Sequence, residues 1–371
     1  MRKIFNFNTK WAFTKDAETV PSVMPQKWYW VNLPHTWNDI DGQDGGNDLY
    51  RGTSYYAKEL EKIDLPKADK YFLELQGANS SATVYVKNKK LASHDGGYST
   101  WRVDITDVLE DKNLFVVEVD NSANDRVYPQ NADFTFYGGL YRDVNIIAVN
   151  NSHFDLEYYG TPGIKVTPEV VGEHAKVDVE VFVKNAKENQ KLVYTIKDRE
   201  GNVVAQRETT ASQKEAIFEI ENVHLWHGRK DPYLYSVEVL LKENDEILDN
   251  VSTRFGCRTF KIDPELGFIL NGEEYPLRGM VVWAEIPYIS THMPKGRENT
   301  ITQMKELVVQ NYNHPSIVVW GLSNEITMSG DSTEDLRENH VILNDLVHEM
   351  DKTRLTTIAC VSMCDMDDPY V

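Results

Sequence analysis

The feature that most narrows the fold is a change of texture near residue 259. Upstream, short apolar runs alternate with polar residues, as in Tyr71-Phe72-Leu73-Glu74-Leu75, Ala82-Thr83-Val84-Tyr85-Val86 and Val177-Asp178-Val179-Glu180-Val181-Phe182-Val183. Turn clusters such as His94-Asp95-Gly96-Gly97 and Glu200-Gly201-Asn202 separate them, which predicts antiparallel sandwiches. Downstream, Val281-Val282-Trp283-Ala284 and Ile317-Val318-Val319-Trp320 are near-continuous apolar runs, as expected of strands buried on both faces. Between them Ile301, Met304, Leu307 and Val308 recur at helical spacing over residues 300–312. A second helix is expected from Ser332 or Thr333 as N-cap, with acids in its first turn, to near Lys352. A third strand follows over residues 355–361. Strand, helix, strand, helix, strand predicts parallel βαβ units.

A chain of 371 residues is too long for one ordinary core, so two or three domains are expected. The first sandwich is placed at 1–150 and the second at 151–258, a length suited to a seven-stranded immunoglobulin-like domain. The remaining segment, 259–371, is too short for a complete eight-fold βα barrel, which takes roughly 250 residues. It also contains an anomaly. Tyr275 to Pro287 reads as one strand joined directly to another at Gly279-Met280, where parallel neighbours need a crossover. Either this is one long strand or a connection is absent there.

Net charge is −19, which makes nucleic acid and anionic membrane poor partners. No window approaches a membrane span and no signal peptide is evident, so the expected compartment is a reduced cytoplasm. The three cysteines, Cys257, Cys360 and Cys364, are too few for a disulfide framework and too isolated for zinc. Aromatic residues make up 11% of the chain, which suits either sugar stacking or large sandwich cores.

Candidate chemistry lies at strand ends, where parallel βα folds place reactive groups. The strand beginning at Ile317 ends on Ser323-Asn324-Glu325, and the one beginning at Val281 ends on Glu285. A carboxylic acid beside an amide suits glycoside hydrolysis, the acid protonating the leaving oxygen and the amide holding a sugar hydroxyl. The same pair would equally serve a fold in which Glu325 caps the next helix and Asn324 holds a turn.

Many short motifs, in order, resemble glycoside hydrolase family 2, the β-galactosidase and β-glucuronidase family. They are LPHTWN at 33–38, RGTSYY at 51–56, HDGGYSTWRVDIT at 94–106, NADFTFYGGLYRDV at 131–144, LWHGRKDPYLYSV at 225–237, RFGCRTF at 254–260, VVWAEIP from Val281 and NHPSIVVWGLSNE at 313–325. The resemblance implies an N-terminal jelly-roll sandwich, an immunoglobulin-like sandwich and a partial (β/α)8 TIM barrel. It implies a retaining exo-β-glycosidase with Glu325 as general acid/base and Asn324 on the 2-hydroxyl. Asp133 is implied to bind the sugar and, in some members, sodium. Asp48 is a further candidate for the sugar rim, and Glu285 for substrate contact.

The departures are equally specific. The family's nucleophile is a Glu on the seventh strand, with no counterpart here, so the 371-residue chain is expected to be inactive. Glu285 is not expected to replace it. Magnesium ligands are not clearly matched: His292 is near the right place, without an acidic partner. The residues by themselves point to no cofactor; the resemblance implies sodium or magnesium. Terminal β-galactosides are the first expected substrate, because YPQNADFTFYGGLYRDV and VVWAEIPYI resemble bacterial β-galactosidases; β-glucuronides come second. A non-catalytic carbohydrate-binding fragment is the alternative from another class, and a homo-oligomer is a further expectation. Residues 1 to about 258 are expected to fold without help, whereas missing barrel strands leave open, apolar edges.

Overall fold

The structure is a computed structural model that describes residues 1–15, 17–41, 49–132, 134–275, 281–328 and 333–361. The first domain is a jelly-roll sandwich of two antiparallel sheets. The larger, in spatial order, holds Tyr29–Val31, Trp11–Thr14, Thr53–Glu61, Lys112–Asp120, Ser81–Val86 and Lys89–Asp95. The smaller holds Lys3–Asn6, Val144–Val149, Lys70–Leu75 and Trp101–Asp104. Inward-facing Phe7, Trp11, Tyr56, Leu73, Val84, Phe115 and Ile146 fill the space between them.

The second domain is immunoglobulin-like, a three-stranded sheet packed on a four-stranded one. The period-two run around Val177 shows why: Val177, Val179 and Val181 are fully buried, facing Tyr194, Val237 and Val239 across the core. Arg2 ties the first domain to the second, bonding to the carboxylate of Asp249 (2.9 Å), which is itself buried.

The third domain is a fragment of a TIM barrel. Its strands and helices run β1 (Val282–Glu285), α1 (Arg297–Asn311), β2 (Ile317–Asn324), α2 (Glu334–Met350) and β3 (Leu355–Ala359). The three strands pair in parallel with β2 in the middle. As expected of a central strand, Ile317, Val318, Trp320 and Leu322 are buried. The β1 run differs from expectation, since Val282 and Trp283 are 41% and 45% exposed. The reason is positional: among the described residues β1 is an edge strand with one neighbour. The junction at Gly279-Met280 lies outside the described residues. No helix among the described residues is long and apolar enough to cross a membrane.

The base of the fragment, at the N-terminal ends of the strands, is fixed by one buried ion pair. Arg354 Nη1 meets Asp351 Oδ2 at 2.7 Å, and both side chains are almost wholly buried. The guanidinium also donates to the carbonyls of Tyr312 (2.7 Å), His314 (3.1 Å) and Ile317 (2.9 Å), collecting the end of α1 and the start of β2. Asp351 accepts from Trp320 Nε1 (2.8 Å) and from the Thr353 hydroxyl (2.7 Å). Each polar atom is thus paired, which is the condition for burying charge. Burial alone would raise the Asp351 carboxyl, but Arg354 and these hydrogen bonds outweigh it and hold it below the usual range.

Removing Asp351 strands a buried guanidinium, so Asp351→Ala is expected to cost about 3–5 kcal/mol in chemical denaturation. A carboxyl depressed in the folded state contributes stability that is present above its unfolded value, about 4, and lost as pH falls through the folded value. Melting temperature should therefore fall in acid below about pH 4, and Asp351→Asn should show a smaller fall. A variant with wild-type acid sensitivity would show that this pair does not govern it.

Candidate active site

The strand-end pair is held by backbone contacts on both sides. Asn324 N–H donates to the Tyr288 carbonyl (2.9 Å), and Ser290 N–H donates to the Asn324 carbonyl (3.3 Å), so the loop after β1 pins Asn324. Glu325 N–H donates to the carbonyl of Ala359 at the end of β3 (2.7 Å). Glu325 has φ +48°, in the left-handed region that side chains rarely adopt. Both side chains are half-buried. The helix-cap reading of Glu325 is settled by α2, whose N-cap is Thr333, its hydroxyl accepting from Leu336 N–H at 3.2 Å.

Glu285 ends β1 on the same side of the sheet. β1 and β2 approach closely here: a Cβ on Gly321 would lie 2.3 Å from the Cβ of Glu285, so only glycine fits. Partial desolvation raises the Glu285 carboxyl above its usual range, against a hydrogen bond from Trp283 that works the other way.

Glu285 and Asn324 open into one cleft of about 420 Å³. Its walls include Pro287 and Ile289 after β1, Gln303 and Leu307 of α1, and Tyr98, Ser99 and Phe134 of the jelly roll. Asp133 and Asp48 lie outside the described residues. Phe134, next to Asp133, is 49% exposed at the cleft, while Phe136 is buried behind it, ring centroids 5.2 Å apart. Phe134 belongs to the NADFTFYGGLYRDV motif and Tyr98 and Ser99 to the HDGGYSTWRVDIT motif, but nothing in either motif marks these three residues as cleft-lining.

The jelly roll reaches the cleft because α1 buries a polar face against it. Asn299, Gln303, Glu306 and Gln310 recur at helical spacing, and the first three are nearly fully buried. Asn299 Oδ1 accepts from Tyr128 N–H (2.9 Å), and Asn299 Nδ2 donates to the Asp95 carbonyl (3.1 Å). Glu306 meets His94 Nε2 at 2.5 Å. Gln310 exchanges two hydrogen bonds with the backbone of Thr100, at 3.0 and 2.9 Å. Tyr128, wholly buried, packs its ring edge-on to Tyr288 with centroids 4.9 Å apart.

The magnesium implied by resemblance does not fit the residues present. His292 Nε2 is taken by Asp335, in the first turn of α2, which bonds to it. The other ring nitrogen meets the Tyr288 hydroxyl at 2.5 Å, so neither is left to ligate a metal. Among the described residues no group of three or more His, Cys, Asp or Glu side chains could hold a metal ion.

Three family models match the chain in order. They are the glycosyl hydrolase 2 galactose-binding domain-like model over residues 49–153, glycosyl hydrolases family 2 over 162–258, and the family 2 TIM barrel domain over 264–369. A β-glucuronidase of Bacteroides fragilis is 31% identical over 403 aligned positions, covering 89% of this chain and 57% of the relative. Those positions outnumber the residues of this chain, so the relative carries residues inside the match that this chain lacks. The crystal structure of an FMN-binding β-glucuronidase from Facaelibacterium prausnitzii L2-6 is similar with a TM-score of 0.92 at 35% identity, covering 98% of this chain and 64% of that one. A putative β-galactosidase from Bacteroides fragilis gives 0.88 at 30% identity, covering 100% of this chain and 65% of that one. The chain thus spans less than two thirds of the length of each of these relatives. With its three domains matched in sequence order by models of one family, the chain belongs to glycoside hydrolase family 2.

Proposed function

We propose that the whole protein is a retaining exo-β-glycosidase acting on terminal β-glucuronides, with Glu325 as general acid/base. The observation that carries this reading is the cleft at the barrel strand ends, lined by Asn324, Glu285 and an aromatic wall from the jelly roll, with Glu325 next in sequence to Asn324 though not itself among the lining residues. In the first step the Glu325 carboxylic acid gives its proton to the glycosidic oxygen as the C–O bond breaks. A carboxylate from another barrel strand attacks the anomeric carbon and forms a glycosyl ester. Glu325, now a carboxylate, takes a proton from water, whose oxygen displaces the ester and frees the sugar. Asn324 holds the 2-hydroxyl through both steps, and Asp133 and Asp48 belong to the sugar rim.

Glucuronides precede galactosides here, the reverse of the order expected from motifs, because the 31% and 35% identical relatives are named β-glucuronidases. The galactoside reading is kept as the second, since a 30% identical neighbour is named a putative β-galactosidase. The 371-residue chain itself is proposed to be inactive. Retaining hydrolysis needs two carboxylates about 5–5.5 Å apart, and the family's nucleophile belongs to a seventh strand. The fragment described here has three.

A panel of nitrophenyl glycosides tests the substrate on the whole protein. Turnover of the glucuronide is expected; turnover of the galactoside alone would move the assignment to the second reading. In the same protein Glu325→Gln should slow hydrolysis of poor leaving groups by about 10²–10⁴-fold and of activated aryl glycosides far less. Equal loss on both would count against the acid role.

A stability measurement on the 371-residue chain separates a functional Glu325 from a structural one. Its left-handed backbone costs a side-chain-bearing residue roughly 1–2 kcal/mol. The greater freedom of glycine in the unfolded chain offsets about 0.5–1 kcal/mol of what a substitution relieves. Glu325→Gly should therefore melt at or above the wild-type temperature. A clear loss of stability would mean that the side chain serves the fold.

A further inference from the structure

The Tyr288–His292–Asp335–Arg297 cluster beside the strand ends carries an inference that does not depend on the glycosidase reading. Asp335 bonds through Oδ2 to His292 Nε2 and through Oδ1 to the Arg297 guanidinium. Because the carboxylate accepts, Nε2 carries the proton, and Nδ1 is left to accept from the Tyr288 hydroxyl. The same guanidinium nitrogen donates to the Asp335 carbonyl (3.2 Å) and to Glu338 (3.3 Å). The His292 side chain is 9% exposed and Tyr288 is fully buried. Tyr288 is the residue whose carbonyl holds Asn324 N–H at 2.9 Å. The chain of contacts therefore runs from the first turn of α2, through Arg297 at the start of α1, to the backbone at the strand end.

We propose that the Arg297 guanidinium acts here as a built-in cation. It neutralises Asp335, orients His292 through it, and so positions the loop that pins Asn324, with no divalent metal. A metal at this place would have to displace a proton from His292 and the guanidinium from Asp335, next to a positive charge that repels it. Removing the guanidinium leaves His292 bonded to an Asp335 carboxylate that has lost its cation, a nitrogen and oxygen pair that a transition metal favours over magnesium. Arg297 and His292 are thus positioning residues for Asn324.

The test is thermal melting and titration calorimetry on the 371-residue chain with chelator, magnesium chloride and manganese chloride. The wild type is expected to melt at the same temperature in all three and to give no saturable heat. Arg297→Ala should melt a few degrees lower in chelator and recover part of that shift with manganese. Arg297→Lys, which keeps the charge but loses the planar fork, should fall between them and stay indifferent to metal. Saturable binding of either metal to the wild type that is lost in His292→Ala would overturn the proposal. An Arg297→Ala chain that melts like the wild type would overturn it too. Should Arg297→Ala fail to fold, the wild-type titration and Arg297→Lys decide the matter without it.

Discussion

A row of buried polar side chains on α1 is the constraint that organises the molecule. Amides and carboxylates out of water cost about 1–3 kcal/mol each when unpaired. Asn299, Gln303 and Glu306 are nearly fully buried, and Asn299 and Glu306 reach the jelly roll directly through Tyr128, Asp95 and His94. The helix is therefore complete only when the first domain is docked on it. That docking carries Tyr98 and Phe134 to the strand ends, which makes the cleft a composite of two domains.

The barrel fragment divides its two ends by purpose. At the N-terminal end of the strands, Asp351 and Arg354 are buried and bonded to each other and to the backbone of Tyr312 and Ile317. At the C-terminal end, Glu325 sits in a backbone conformation that the fold tolerates at a cost. Strain at one end and a fully paired ion pair at the other is the arrangement expected when parallel strands present chemistry at their C-terminal ends. Both ends use arginine for the same physical reason: a planar guanidinium collects several acceptors and keeps its charge when desolvated.

The edges of the parallel sheet mark how much of a barrel is present. β2 has strands on both sides and is buried, whereas Val282 and Trp283 of β1 and Leu355 of β3 are each more than 40% exposed. These are apolar residues of the kind that a closed barrel covers with the next strand. The shares covered in the relatives, from 57% to 65%, agree with a chain that holds the two sandwiches and part of the third domain.

What the sequence determined by itself was local. Period two in Val177, Val179 and Val181 specified a half-buried strand, because side chains alternate across a pleated backbone whatever lies opposite. Helical spacing, a cap at Ser332 or Thr333 and the Asn324-Glu325 pair at the end of an apolar strand were legible for the same reason: each depends on residues a few positions apart. What only the tertiary structure decided was pairing between distant segments. The bond between His292 and Asp335 joins residues separated by a helix and a strand, and nothing in the spacing announces it. The polar face of α1 is buried only because the jelly roll is laid against it. The β1 run read as buried because its composition is that of a central strand; which neighbours a strand receives is set by topology, and topology is a property of the whole chain.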